Sequence, residues 1–365
     1  MKATTQAEGR TYYLNWELQK AAEKMLREIM LVKPGETVLI TCDTTNDERV
    51  VNATAAAALT MGAYPIVMQY PASLDQAIMI EPTKPVLEAI KAADVWIEYD
   101  YQLFYTRGWK QAMDCGTRQI TAASMDINMM LNVIGRFDHK KIVELGDRLV
   151  KLHNDAKEMR ITSPGGTDLT FSCEGRLCNQ SGTYAAPGTS VMLSGQTSMC
   201  PVEETINGTI VFDGGLFPPQ EIGRQVNPVK LTIEKGVCTK IEGPGREAHL
   251  FEKWMASWND PKMYWVAHIS CGFNPGIPEP TGRIEEDERI FGCVEIGLGT
   301  QGEGLGGKSW VAANHTDGIM LNPQRPFCAI LGGSKVSTKI TIIENRFYVD
   351  PECARICKEL GVAGY

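Results

Sequence analysis

The sequence predicts an α/β domain followed by an antiparallel-rich, α+β metal-binding domain, and three observations carry that prediction. Helix and strand patterns alternate over the first 155 residues; short hairpin-like strands replace them beyond residue 158; and 365 residues exceed what one hydrophobic core usually spans. The expected boundaries are therefore 1–158 and 159–365.

In the first domain Leu18, Ala22, Met25, Leu26 and Ile29 recur at helical spacing, Pro34-Gly35 stops that helix, and Thr37-Val-Leu-Ile-Thr41 reads as a buried strand. The cycle then repeats. A helix over about 47–61 leads to a strand at 64–68, one over 84–93 to a strand at 95–99, and one around Trp109 to a strand at 119–123. Strands alternating with helices imply a mostly parallel sheet with helices on both faces. A polar helix over about 140–158 closes the domain, and His139 and His153, set among Lys, Asp and Asn, are expected to be solvated. In the second domain the strands are Arg160-Ile-Thr, 168–172, 209–212 and 230–233, the last turning at Lys235-Gly236 into 237–241. A helix over 246–258 precedes a strand through His268. Strands over 328–331 and 339–349 end the chain.

Composition narrows the function. The apolar fraction is 43 % and the net charge −8, with no basic stripe, so nucleic acid is not an expected partner and a small molecule is. The first ten residues lack the apolar segment of a signal peptide and no apolar run is long enough to span a bilayer, so a cytoplasmic protein with no membrane partner is expected. A homo-oligomer is expected as well. The eleven cysteines form no Cys-x-x-Cys pair, which points to reduced thiols.

The chemistry concentrates in the second domain. In Ala-Asn-His315-Thr-Asp317-Gly the side chains two apart on an extended strand share a face, so His315 and Asp317 can offer a nitrogen and an oxygen to one cation. His268, in Val-Ala-His-Ile-Ser-Cys-Gly, supplies a third ligand. Two histidines and a carboxylate with open positions make the donor set of a non-heme Fe(II) enzyme, and the same trio can hold Zn(II) or Mn(II). An isolated His-x-Asp reads more readily as a hydrogen-bonded surface pair; the distant histidine and the glycine-rich approach shift the reading to the metal.

Gly302-Glu-Gly-Leu-Gly-Gly-Lys308-Ser309 matches the phosphate-loop pattern, but Trp310–Gly318 carries Asn and Gly where the obligatory helix should run. A flexible loop bordering the metal site is the expectation, with Lys308 placed to meet an anionic substrate. Glu295, between Val294 and Ile296, lies on the exposed face or turns into the site as fourth ligand or general base. Glu203 and Glu204 read as a strand-edge turn, and His249 as a surface residue. No nucleophile elbow or Cys/His dyad is visible.

The stretches Leu231-Thr-Ile-Glu-Lys-Gly236, Asn259-Asp-Pro, Ala267-His268-Ile-Ser-Cys-Gly-Phe-Asn-Pro275, Gly306-Gly-Lys308 and His315-Thr-Asp317 resemble the 2,5-dihydroxypyridine 5,6-dioxygenases, Fe(II) ring-cleaving enzymes of nicotinate catabolism. More distantly the chain is similar to the metallo-aminopeptidases of the aminopeptidase T family. The dioxygenase resemblance puts the three iron ligands on His268, His315 and Asp317. It also puts Asn179 and Val191 where those enzymes carry an active-site Glu and His, and Gly297 or Leu298 where they carry a serine, which implies a changed substrate pocket. The aminopeptidase resemblance puts two metal-binding glutamates on Gln196 and His268 and a histidine on Glu295, so a dinuclear zinc site would lack its usual ligands. The expected function is a mononuclear Fe(II) dioxygenase-like enzyme acting on a small hydroxylated ring or related anion. The alternative is a hydrolase in which a metal-activated water attacks an amide and Glu295 takes its proton, and a binding protein with a structural metal is a third class.

Overall fold

The computed structural model describes residues 14–72, 80–100, 103, 106–302, 304–321, 328–333 and 338–365, with the backbone alone for 328–333 and 338–341. The chain divides into two compact units, Met1–Arg136 with Tyr184–Val191, and Phe137–Thr183 with Met192–Tyr365.

In the first unit four strands, Thr37–Asp43, Tyr64–Tyr70, Val95–Glu98 and Arg118–Thr121, run parallel in the order second, first, third, fourth. The two-residue strand Ser190–Val191, which the sequence did not announce, adds itself beside the fourth. Because the path turns back after the second strand, right-handed crossovers put helix Glu48–Thr60 on one face and helices Lys84–Ala92 and Arg107–Asp114 on the other. Asp47 and Thr106 start two of these helices by accepting the amides of Arg49 and Trp109. The first helix, Asn15–Lys24, continues as a π-turn over Met25–Ile29 and buries Leu18, Ala22, Met25, Leu26 and Ile29, the residues whose spacing announced it.

The second unit holds two seven-stranded antiparallel sheets. One runs, edge to edge, through Val237–Glu242, Val229–Glu234, Asn207–Phe212, Asp168–Ser172, Ala156–Thr162, Cys328–Gly333 and Thr338–Thr341. The other runs through Gly223–Arg224, Gly215–Phe217, Trp310–Met320, Cys293–Gln301, Val266–Gly272, Gln196–Met199 and Cys178–Gln180. Their facing side chains, among them Ile210, Phe212 and Leu231 from the first and Ile269, Cys271, Val294, Ile296, Leu298 and Met320 from the second, form one core.

Helix His139–Asn154 belongs to this unit and is shorter than expected, since Ala156–Thr162 alternates buried and exposed positions and pairs as a strand on both sides. His139 and His153 are buried, not solvated. His139 bonds through its ring nitrogens to the Thr183 carbonyl at 3.0 Å and to Ser194 Oγ at 3.2 Å, and His153 Nδ1 lies 2.7 Å from the Leu149 carbonyl. His249 is exposed. The chain closes not on strands but on helix Pro351–Glu359.

Asp350 caps that last helix, accepting the amides of Glu352 and Cys353, and grips Arg148 through two bonds of 2.9 and 2.7 Å. Asp350→Ala is expected to cost about 2–3 kcal/mol in urea unfolding, the sum of a lost cap and a lost charge-assisted pair. The Arg148 guanidinium holds the Asp350 carboxyl below its ordinary range. Its contribution is thus complete above the unfolded pKa of about 3.9 and fades as pH falls through the lower folded value, so the gap between wild type and variant should close in acid.

Candidate metal centre

Because side chains alternate along a strand, the sheet that buries Ile269, Val294, Ile296, Leu298 and Met320 on one face must present His268, Glu295, Gly297, His315 and Asp317 on the other. The register brings them together. Gly297, on the middle strand, is paired with His268 on one side and Asp317 on the other, and Gly299 with His315. A Cβ on Gly297 would stand 2.5 Å from His268 Nε2 and 2.9 Å from Asp317 Oδ1. Glycine is what leaves the space between those two groups open.

The two imidazoles stack with centroids 5.0 Å apart. His268 Nε2 lies 3.1 Å from His315 Nε2, His315 Nε2 lies 2.9 Å from Asp317 Oδ1, and His268 Nε2 lies 3.4 Å from the same oxygen. Protons alone satisfy this triangle poorly: if both Nε2 atoms donate to Asp317 they face each other with hydrogens, and if only one carries a hydrogen, that single hydrogen must serve both the carboxylate and the other imidazole. Three lone pairs converging on a cation remove the conflict. Ligands about 2.0–2.2 Å from one ion stand about 3 Å apart at right angles and about 3.4 Å apart in a tetrahedron, which is the observed range. His268, His315 and Asp317 form the one such cluster of three among the described residues.

Charge supports the same use of the cluster. Burial raises the Asp317 carboxyl, but His315 and His268 outweigh it and hold the group well below the usual carboxylate range. It stays ionised. Burial works against charge on His268, and Glu295, Asp317 and Glu288 overcome it, raising its pKa to about 9. Glu295 is fully buried, so it does not lie on the exposed face; burial lifts its pKa to about 7 against the pull of His268. Its Oε2 lies 3.4 Å from His268 Nδ1, while Oε1 is buried without a partner, as is Nδ1 of His315.

Lys308 is placed elsewhere. Its ammonium pairs with Glu204, its side chain is 55 % exposed, and its amide donates to Glu203. The phosphate-loop look-alike bridges strands Cys293–Gln301 and Trp310–Met320, with a strand where a nucleotide-binding helix would be needed. Glu203, which starts a 3-10 turn and also pairs with Arg176, ties that loop down. Asn179 is exposed and donates to the Gly304 carbonyl at 3.2 Å. Val191 is buried in the first unit.

Of the neighbours of the cluster, Ser270, Ser198 and Glu288 escaped the sequence reading, while Gln196 entered it only through the aminopeptidase resemblance. Ser270 Oγ lies 3.3 Å from His268 Nδ1 and 2.7 Å from Ser198 Oγ, and Gln196 Nε2 donates to Glu288 at 2.9 Å and to Glu295 at 3.4 Å. Ser270 and Gly297 were within reach, each two positions beyond a residue already singled out on its strand. Alternation alone does not reach Gln196, since its short strand, Gln196–Met199, shows none clearly; only the aminopeptidase resemblance singled it out.

The two β-sheets and the His, His, carboxylate cluster on one of them define a protein with a candidate mononuclear metal site. The family of 2,5-dihydroxypyridine 5,6-dioxygenase matches residues 17–278, more than half of the chain, and the chain belongs to that family. The 2,5-dihydroxypyridine 5,6-dioxygenase of Pseudomonas putida is 25 % identical over 277 residues, which cover 72 % of this chain and 77 % of that protein. The solved structure of the Pseudomonas putida dioxygenase matches with a TM-score of 0.76 at 21 % identity, over 93 % of this chain and 99 % of that one. AmpT of Thermus thermophilus matches with a TM-score of 0.64 at 12 % identity, over 92 % of this chain and 100 % of that one, a likeness of fold alone. A local match of 31 residues, 8 % of the chain, is 64 % identical to chloroplastic phosphoglycerate kinase of Chlamydomonas reinhardtii but spans only 7 % of that protein. The α/β and antiparallel architecture expected from the sequence is the architecture found. No described helix is long and apolar enough to cross a membrane.

Proposed function

We propose that the chain is a mononuclear Fe(II) ring-cleaving dioxygenase whose metal is held by His268, His315 and Asp317, acting on a small hydroxylated aromatic or heteroaromatic ring. The observation that carries the reading is the triangle of donor atoms with sides of 2.9, 3.1 and 3.4 Å in a chain of this family. Ferrous iron supplies, when bound, the one-electron chemistry by which dioxygen reacts with a closed-shell ring. Everything else falls to the protein. Asp317 brings the one formal negative charge of the donor set. Glu295 and Ser270 receive the Nδ1–H of His268 and so fix the tautomer that leaves Nε2 with its lone pair toward the other two donors. Gly297 keeps the space between His268 and Asp317 clear. Lys308, held by Glu204, is assigned no step.

Asn179 and Val191, at the positions where the resemblance expects a Glu and a His, support a ring other than 2,5-dihydroxypyridine itself. Anaerobic purification followed by elemental analysis tests the metal: about one iron per chain is expected, and stoichiometric zinc with no iron would contradict the reading.

A second reading rests on one observation, the buried Glu295 carboxylate beside His268. In a hydrolase it would take a proton from the attacking water. The two readings part on Glu295→Gln. As a holder of the His268 tautomer, Glu295 should affect metal affinity by roughly 10- to 100-fold, with turnover recovered at saturating metal. A general base should instead show a loss on the order of 10²- to 10⁴-fold in kcat that added metal does not restore.

A further inference from the structure

Resting on the ring-cleaving reading above, we infer that Phe217 is the platform against which the aromatic ring of the substrate packs, and that it sets a preference for a planar ring over other chelating anions. Strand Gly215–Phe217 lies beside Trp310–Met320 and pairs Leu216 with Gly318 and Phe217 with Asp317. Residues paired across two strands share a face of the sheet. Leu216 is buried in the core, and a Cβ on Gly318 would stand 2.4 Å from the ring of Phe212 in that core, so this pair looks inward. Phe217 and Asp317 therefore look the other way. Phe217 joins Asp317, Gly297 and His268 in a single row that crosses four adjacent strands.

The two flanks of the cluster differ in chemistry. On the His268 side stand the hydroxyls of Ser270 and Ser198, bonded to each other at 2.7 Å, and the carboxylate of Glu295. On the Asp317 side the flanking strand offers the phenyl ring of Phe217. A phenylalanine in a strand ordinarily spends its apolar surface in the core. This one does not: it is half-buried, takes no part in the core between the two sheets, and stacks on no other ring among the described residues. The ligands are open to the same side, with His268, His315 and Asp317 side chains 17, 21 and 14 % exposed. The hydroxyl of buried Thr316 donates to the Pro218 carbonyl and so ties the chain that follows Phe217 to the strand of the ligands.

Paired residues on neighbouring strands hold their Cβ atoms about 4.5–5.5 Å apart, so the Phe217 ring starts about one side-chain length from Asp317. Two aromatic rings attract over centroid separations of about 4.5–7 Å, in offset-stacked or edge-to-face arrangements. A flat ring with its hydroxyl oxygens toward the donor triangle falls within that reach of Phe217. A small chelating anion without a ring presents no π face and gains little from it. The residue thus discriminates by shape and polarisability, while the charge of the substrate is met at the cluster.

The test reads binding rather than turnover, on the full-length protein loaded with zinc. Calorimetric titration uses catechol and 2,5-dihydroxypyridine as ring probes and oxalate as the chelator without a ring. Phe217→Ala should weaken binding of the better ring probe by about 10-fold or more, through lost stacking and lost apolar contact. Phe217→Trp should retain it, and oxalate affinity should be the same in all three proteins. Far-UV circular dichroism and metal content check each variant, and Phe217→Leu, with an expected loss of about 3- to 10-fold, replaces Phe217→Ala if that variant unfolds. Ring affinity unchanged by the substitution, an equal fall in oxalate affinity, or a wild type that binds neither ring would overturn the inference. The underlying reading fails separately: Phe217-dependent ring binding without oxygen uptake by the ferrous protein would keep the platform and remove the dioxygenase. Oxygen uptake whose KM for the ring survives Phe217→Ala would do the opposite.

Discussion

His315→Ala is expected to leave a folded protein that no longer retains its metal. Its ring nitrogen is one corner of the donor triangle and it stands on a long strand whose other face is packed in the core, so the sheet should survive the loss of one partly exposed side chain. Removing groups that merely orient a ligand costs roughly 10- to 100-fold in affinity, and removing a ligand should cost at least as much. Mass spectrometry under native conditions reads the stoichiometry. Retention of the wild-type metal content would refute the assignment of His315. Gly297→Ala provides an independent route to the same outcome: its φ lies outside the left-handed region, so the backbone accepts alanine, but the added methyl would stand 2.5 Å from His268 Nε2. The two variants attack the site by chemistry and by volume. Agreement between them would locate the metal in the space Gly297 leaves open.

Much of this site was legible before any coordinates, because a period of two is a strong constraint once a strand is recognised. His315 and Asp317 had to share a face, and Glu295 between two apolar residues had to oppose the core if Val294 and Ile296 filled it. What the sequence could not supply was register. Nothing in the residues says that Gly297 sits between His268 and Asp317, and only that pairing gives the glycine its purpose.

Long-range pairing hid other elements for the same reason. Ser190–Val191 and Gln196–Met199 are too short to show alternation and owe their existence to the strands beside them. The burial of His139 and His153 was readable and missed. Counting from His139 at spacings of three and four gives Ile142, Gly146, Leu149 and His153, one stripe of the helix, and that stripe is buried. The polar residues beside the histidines in sequence lie on the helix's other faces. The last helix likewise carried a signal, Asp350 before Pro351 at its start and Gly361 beyond its end, which the strand pattern just before it obscured.

The remaining question is which chemistry the metal serves, and its expected effect is all or none. Zinc has no redox chemistry with which to activate oxygen, so exchanging iron for zinc should abolish a dioxygenase and sustain a hydrolase. Oxygen uptake by the ferrous protein, prepared anaerobically and offered a panel of hydroxylated pyridines and catechols, therefore tests the central claim most directly. A negative with 2,5-dihydroxypyridine alone decides little, given Asn179 and Val191, so the panel matters. The account predicts ring-dependent consumption of oxygen that the zinc-substituted protein lacks. Cleavage of an amide or dipeptide under rigorous exclusion of oxygen, with no ring of the panel consumed in air, would contradict it.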